Sequence, residues 1–273
     1  MIRILAFLGG LGFVTALLVA AVIPRDAVEE SVSEMFHKEP KAVSFTSDGP
    51  LGKFDHAQLQ RGLQVYKEVC SACHSLRLVS FGDLTGIGYT PGQVKTIAAE
   101  WSTEQPSVNP ETGEAATRKN LASDKFPSPF ANETAARAAN NNAIPPDLSL
   151  MAKAREGGPR YIYSLLTGFQ DPPANLPKDS LPGPNLHYNP YFANLNISMA
   201  APLVSDGQVT YGEGSPKPTV DQMAKDVAAF LIWTAEPKLE NRHRAGVATI
   251  IFLLIFAGLC WGSYKSIWAN KEH

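Results

Sequence analysis

The sequence predicts a mainly α-helical exported domain with long loop insertions, followed by a C-terminal transmembrane helix. Three observations predict it. Two apolar stripes at helical spacing stand far apart, one within Leu59–Cys70 and one within Val220–Leu231. Between them run stretches rich in Pro, Gly and Asn at 105–113, 126–130, 140–146 and 171–191, with no internal repeat. Near the end, Ala245 to Tyr264 is an uncharged run of 20 residues.

A chain of 273 residues holds one sizeable domain and an appendage. Its net charge of −2 hides an asymmetry. From Asp26 to Glu240 there are 25 acids and 18 bases, and from Asp26 to Thr117 there are 13 acids against 7 bases. Such an acidic face attracts a basic partner or simply keeps the protein soluble. No Lys/Arg cluster or basic helix marks a nucleic-acid surface, and no Gly-rich phosphate loop or G-x-S-x-G elbow marks a nucleotide or esterase site.

Taken in order, the chain opens with Arg3 and an uncharged run from Ile4 to Ile23. Small residues at Val19-Ala20-Ala21 suit a signal cleavage site, while 20 residues also suffice for an anchor. Residues 1–23 are thus expected to be a signal peptide or an uncleaved signal-anchor. Residues 24–244 form the exported domain, 245–264 the span and 265–273 a cytoplasmic tail. After an acidic leader, Asp55 is the expected N-cap of a helix reaching Cys70, with Leu59, Leu63, Tyr66 and Cys70 on one face. Gly62, poor in a helix interior, points to the close approach of another element.

The most informative residues come next: Cys70-Ser71-Ala72-Cys73-His74, a C-x-x-C-H pentad. Two cysteines at this spacing can each add across a vinyl group of one haem, and the histidine that follows becomes an axial iron ligand. A zinc site would need a second Cys/His pair, but the remaining cysteine, Cys260, lies in an apolar run. A thiol redox pair would need a βαβ context, which these surroundings lack. The chemistry expected is therefore one covalent haem c.

Beyond the pentad, 155–169 is expected as a loop leading into a short helix that ends at Gly168. A second long helix begins at Thr219-Val220-Asp221-Gln222, which has capping-box form, and stops at Pro237. A helix with a glycine notch and a helix with aromatics suggest a crossed pair enclosing the haem. A sixth iron ligand is normally Met sulfur or His nitrogen. Met223 falls on the apolar stripe and Met151 in a helix-forming stretch, so core packing explains both. Met199 lies in the loop-like Ile197-Ser198-Met199-Ala200-Ala201-Pro202-Leu203 and is favoured, with His187 as runner-up. In the final run, Trp261, Tyr264 and Trp268 suit the headgroup level. A haem domain outside the cell membrane requires this helix to run back towards the cytoplasm.

An ordered set of residues from about Leu51 to the C-terminus resembles cytochrome c1, the haem subunit of the quinol–cytochrome c reductase. The set begins with Arg61-Gly62 and Tyr66-Lys67-Glu68-Val69 leading into the pentad, then Ser75-Leu76. It continues with Ala136-Arg137-Ala138-Ala139-Asn140-Asn141, Pro145-Pro146-Asp147-Leu148-Ser149 and Tyr161-Ile162-Tyr163-Ser164-Leu165-Leu166-Thr167-Gly168. Asn189-Pro190-Tyr191-Phe192, the Met199 loop, and Asp226-Val227 through Phe230-Leu231 to Ala235-Glu236-Pro237 complete it.

The resemblance implies a cytochrome c-like haem domain with thioether bonds at Cys70 and Cys73 and axial ligands His74 and Met199. It also implies haem contacts from Asn140 and Pro146, a propionate partner at Arg155 and a ring contact at Tyr161. Its implied role is a non-catalytic, one-electron relay from a Rieske-type Fe–S protein to a soluble cytochrome c, beside cytochrome b in a dimeric complex. That places the haem domain on the periplasmic face of the inner membrane. The rival function is a haem enzyme or gas sensor with an open sixth site. Two departures stand out. Ala200-Ala201-Pro202 carries fewer prolines than the family pattern, and Asn142 stands where the family commonly has Gly, so that turn needs a tolerated positive φ.

Overall fold

A computed structural model describes residues 2–23 and 31–269. The acids at 26–30 and Lys271 of the tail lie outside the described residues. The chain forms two compact units, 1–35 and 36–273. In the first, α1 (Ile2–Val22) is apolar along its 21 residues and buries none of them. It rises about 31 Å, enough to cross a bilayer core. A short helix, α2 (Val32–Phe36), starts where the Ser31 N–H donates to Glu34 Oε2 at 2.7 Å.

The second unit is built on a crossed helix pair. Helix α3 (His56–Val65) is capped by Asp55, whose side chain accepts from the Gln58 N–H. Its partner α8 (Val220–Ala235) is capped by Thr219, which accepts from the Gln222 N–H at 3.1 Å. The capping box expected there is half made. The Gln222 side chain turns instead to Asp226 Oδ1, at 2.8 Å, because that buried carboxylate needs donors more than the exposed helix end does.

Gly62 is where the pair crosses. A Cβ there would lie 2.2 Å from the Asp226 carbonyl oxygen and 2.6 Å from Phe230 Cβ. Around this point Leu59, Leu63, Met223, Val227 and Phe230 are buried in one apolar core. Asp226 is fully buried but fully engaged. Arg61 Nε and Nη2 donate to its two oxygens at 2.9 and 3.2 Å, and Gln58 Nε2 adds a third donor at 3.0 Å.

Helix α3 runs into one π-helical turn, Tyr66–Cys70, in which the Ser71 N–H bonds to the Tyr66 carbonyl five residues back. Beyond it a seven-residue 3-10 helix, Phe81–Ile87, and α4 (Pro91–Ala99) enclose an aromatic cluster. Tyr66, Phe81, Trp101 and Phe126 meet there with ring centroids 4.3–6.2 Å apart.

The stretch expected as loop at 105–113 differs. Strand β1 (Gln105–Val108) pairs antiparallel with β2 (Ala115–Arg118), in register Gln105↔Arg118 to Val108↔Ala115. Pro106 and the absence of apolar alternation conceal this edge hairpin in the sequence. Side chains hold it: Thr117 Oγ1 donates to Glu104 at 2.5 Å, and Arg118 forks onto Asp124.

Shorter elements fill the rest of this unit before its last helix. They are α5 (Glu133–Ala139), α6 (Met151–Ala154), α7 (Pro159–Leu166) and the short antiparallel pair β3 (His187–Tyr188) and β4 (Asn196–Ile197). Helix α9 (Leu239–Trp268) then runs for 30 residues, about 45 Å, containing the expected span at 245–264.

Candidate haem site

The pentad sits at the end of the π-helical turn, not along a regular helix. Cys70 closes that turn, and residues 71–73 bend so that the Cys73 and His74 N–H groups both reach back to the Cys70 carbonyl, at 3.1 and 2.9 Å. The helix expected to reach Cys70 thus gives way to a tight turn that carries both cysteines. That turn brings Cys70, Cys73 and His74 onto the wall of one cavity. Tyr66 secures it from behind: its buried ring stands in the aromatic cluster while its hydroxyl donates to the His74 carbonyl at 2.8 Å.

His74 is oriented by the segment 145–149. Its Nδ1 lies 2.8 Å from the Pro146 carbonyl, which can only accept, so Nδ1 carries the proton and Nε2 is the free ring nitrogen. Burial lowers the proton affinity of the imidazole, against the opposing pull of the Pro146 carbonyl and the Asp147 charge, and the net direction is down. A neutral imidazole with one bonded and one free nitrogen is the form that ligates metal. Asp147 shows the reverse balance. Burial works to raise it, but donors from Ser149, the Arg77 backbone and Ser75 outweigh burial and hold the carboxyl below its ordinary value. Cys70 is a thiol pushed up to about 12, by burial first and by Cys73 second.

The cavity holds about 720 Å³, within the ~300–1,000 Å³ of cofactor and ligand clefts. All eight residues expected at the site line it: Cys70, Cys73, His74, Asn140, Pro146, Arg155, Tyr161 and Met199. Met199 reaches it from the loop that leaves β4, 125 residues after His74. His187 does not line it and is exposed on β3. Met223 is buried in the core, as its stripe position implies, whereas Met151, also assigned to packing, reaches the cavity wall as well. Asn140 ends α5 and turns its amide back to the Ala136 carbonyl at 2.7 Å. The turn after it has Asn141 at φ 50° and Asn142 at φ 65°. Asn tolerates this left-handed region better than most residues, which answers the missing glycine.

Arg155 is the one permanently charged side chain among the described lining residues, and it is solvent-exposed beside half-buried Tyr161. The rest of the wall is apolar, with Val227 and Leu231 contributed by α8 and Phe192 by the loop before β4. These wall residues went unassigned in the sequence, although Val227 and Leu231 lie on its apolar stripe.

The donor set fits a haem. Cys70 and Cys73 are not bonded to each other, and no cluster of three His, Cys, Asp or Glu suited to a metal ion occurs among the described residues. One nitrogen donor, the thioethers of Met199 and Met151, two free thiols, a cation at the edge and a mainly apolar wall match what an iron porphyrin with carboxylate tails requires.

Comparison with known proteins agrees. The sequence profile of the Cytochrome C1 family matches residues 45–271. The chain is 42% identical to "Cytochrome c1 1, heme protein, mitochondrial" of Arabidopsis thaliana over 266 residues, covering 97% of this chain and 81% of that one. It is 46% identical to "Cytochrome c1, heme protein, mitochondrial" of Saccharomyces cerevisiae, covering 84% and 70%. It is also 40% identical to "Cytochrome b/c1" of Bradyrhizobium diazoefficiens, spanning 94% of this chain but 39% of that longer protein.

Proposed function

The chain belongs to the cytochrome c1 family, and from that premise we propose that it relays single electrons from a Rieske-type Fe–S protein to a soluble cytochrome c. It is a membrane-anchored electron-transfer subunit of the quinol–cytochrome c reductase, carries one haem c and has cytochrome b as its partner. We assign its haem domain to the periplasmic face and the complex to a dimer.

Haem, when bound, would supply the one-electron Fe(III)/Fe(II) chemistry. The chain's residues hold and tune it. Cys70 and Cys73 would bond it through thioethers, and His74 and Met199 would ligate its iron. Arg155 would pair with a propionate through its planar fork. Tyr161, Asn140 and Pro146 would contact the macrocycle. The hydrogen bond from His74 Nδ1 to the Pro146 carbonyl makes the imidazole a better donor, while Met ligation and the apolar wall would raise the potential. No residue moves a proton in this scheme.

The observation that carries the reading is the meeting of the pentad and the Met199 loop on one apolar cavity. Optical spectra of the purified membrane protein test it. Haem retained after acid–acetone extraction, a low-spin α-band and a near-infrared Met–iron band that vanishes in Met199→Leu are expected. A high-spin spectrum in the wild type would refute the relay and favour an open sixth site, as in a haem enzyme or gas sensor. The acidic excess over residues 26–117 suits a basic acceptor. Electron transfer to cytochrome c should then slow steeply with ionic strength, and an insensitive rate would sink that assignment.

A further inference from the structure

The segment carrying Pro146 is fastened to the chain that leaves the pentad by one carboxylate. Asp147 Oδ2 accepts from the Ser75 hydroxyl at 2.8 Å and from the Arg77 N–H at 2.9 Å, and Oδ1 accepts from the Ser149 N–H at 3.0 Å. Two further bonds close the seam. The Leu148 N–H donates to the Ser75 carbonyl at 2.9 Å, and the Leu78 N–H donates to Ser149 Oγ at 3.2 Å. The Arg77 guanidinium, 3.9 Å away and 77% exposed, adds little.

The carbonyl that accepts from His74 belongs to the peptide unit joining Pro146 to Asp147. That unit is planar, and the proline ring fixes φ of Pro146 but leaves ψ, the torsion that swings this carbonyl, free. Anchoring the Asp147 side chain to residues 75–77 restrains it on the far side. The direction in which the Pro146 oxygen points at the imidazole therefore depends on that anchor.

We propose that Asp147 is a positioning residue for the axial imidazole: by clamping residues 75–77 it holds the Pro146 carbonyl against His74 Nδ1 and so sets how strongly the ring donates to iron. The inference rests on the reading of His74 as an iron ligand. Partners one step removed from a metal typically change its behaviour 10–100-fold when lost. Here the lever is weaker, because the Pro146 carbonyl itself survives any change at Asp147.

The test uses the detergent-solubilised, haem-loaded complex with Asp147→Ala, Asp147→Asn and Ser75→Ala. The readouts are the midpoint potential, the ferric low-spin EPR g-values and the melting temperature. A looser imidazole bond and the loss of a nearby negative charge both favour the ferrous state. Asp147→Ala should therefore raise the Fe(II)/Fe(III) ratio at fixed poise about three- to tenfold, an upward shift of ~28–59 mV at 59 mV per decade. Ser75→Ala, which keeps the charge and removes one donor, should give a smaller shift of the same sign with altered g-values. A lower melting temperature with potential and g-values unmoved would mean a purely structural role and overturn the proposal. If Asp147→Ala fails to accumulate haem, Asp147→Asn and Ser75→Ala decide by the same criterion. A wild type lacking a histidine-ligated spectrum would overturn the ligation reading and this inference with it. A histidine-ligated wild type with unmoved variants overturns this inference alone.

Discussion

Replacing Gly62 by alanine pits two effects of opposite sign against each other. In an exposed helix interior the change gains roughly 1 kcal/mol. Here the new methyl would sit 2.2 Å from the Asp226 carbonyl oxygen, 2.8 Å from its carbon and 2.6 Å from Phe230 Cβ. Two of those three atoms are backbone of α8, so no side-chain rotation relieves the contact. The helices must part by roughly 1 Å, which opens the packing of Leu59, Leu63, Val227 and Phe230 and stretches the fork from Arg61 to Asp226. Overpacking of this kind costs about 1–3 kcal/mol, and a backbone clash belongs at the upper end. The net loss of about 2 kcal/mol, at 2–4 °C per kcal/mol for a domain of this size, lowers the melting temperature by ~4–8 °C. Circular dichroism melts of the haem-loaded protein measure it. Gly92→Ala is the control, since the nearest atom to a Cβ at Gly92 is Thr90 Oγ1 at 4.0 Å. If Gly62→Ala melts at or above the wild type, as Gly92→Ala should, the close crossing of α3 and α8 is refuted.

Asp226→Ala strands the Arg61 guanidinium, which is 15% exposed, and should destabilise by ~3–5 kcal/mol in urea melts. The apolar pair Arg61→Met with Asp226→Leu should recover most of that loss, and equal instability of single and double variants would contradict the assignment. Asp124 is pulled to about 2, chiefly by the Arg118 fork and then by the Leu121 N–H. A depressed acid contributes stability above its unfolded value of 3.8 that is lost as pH falls through 2. Protection of the Leu121 amide and the hairpin base against hydrogen exchange should therefore fade between about pH 4 and 2, and Asp124→Asn should abolish that dependence.

Where local chemistry decides, the sequence was readable. Asp55 and Thr219 accept from the third residue of their helices because a short side-chain oxygen at that position has an orphan N–H within reach. Gly62 marked a close approach because little else justifies glycine in mid-helix. Asn142 required a positive φ once its turn was identified, and it has one. The hairpin at 105–118 was missed because its pairing depends on Glu104, Thr117, Arg118 and Asp124 and not on an apolar face. The π-helical turn was missed because a single five-residue hydrogen bond leaves no periodic trace. Residues of the candidate site could be named singly, through the pentad, the Met199 loop and the family resemblance. The way Asp147 ties 145–149 to 75–78 is a tertiary fact that no spacing encodes.

Between the last residue of α8 and the first of α9 lie only Glu236, Pro237 and Lys238. Three residues extend at most ~10 Å. Glu236 is also held from both sides, by Lys153 at 2.5 Å and Arg242 at 2.6 Å, with Lys153 on the short helix that walls the cavity. A flexible tether of 20 residues would let a cofactor roam by some 25 Å (~5–6 Å × √n). This joint grants almost none of that freedom. The redox centre is mounted on its anchor like an instrument on a short, braced post, at one height above the lipid. On the relay proposed above, any travel between successive electron exchanges would fall to its redox partners.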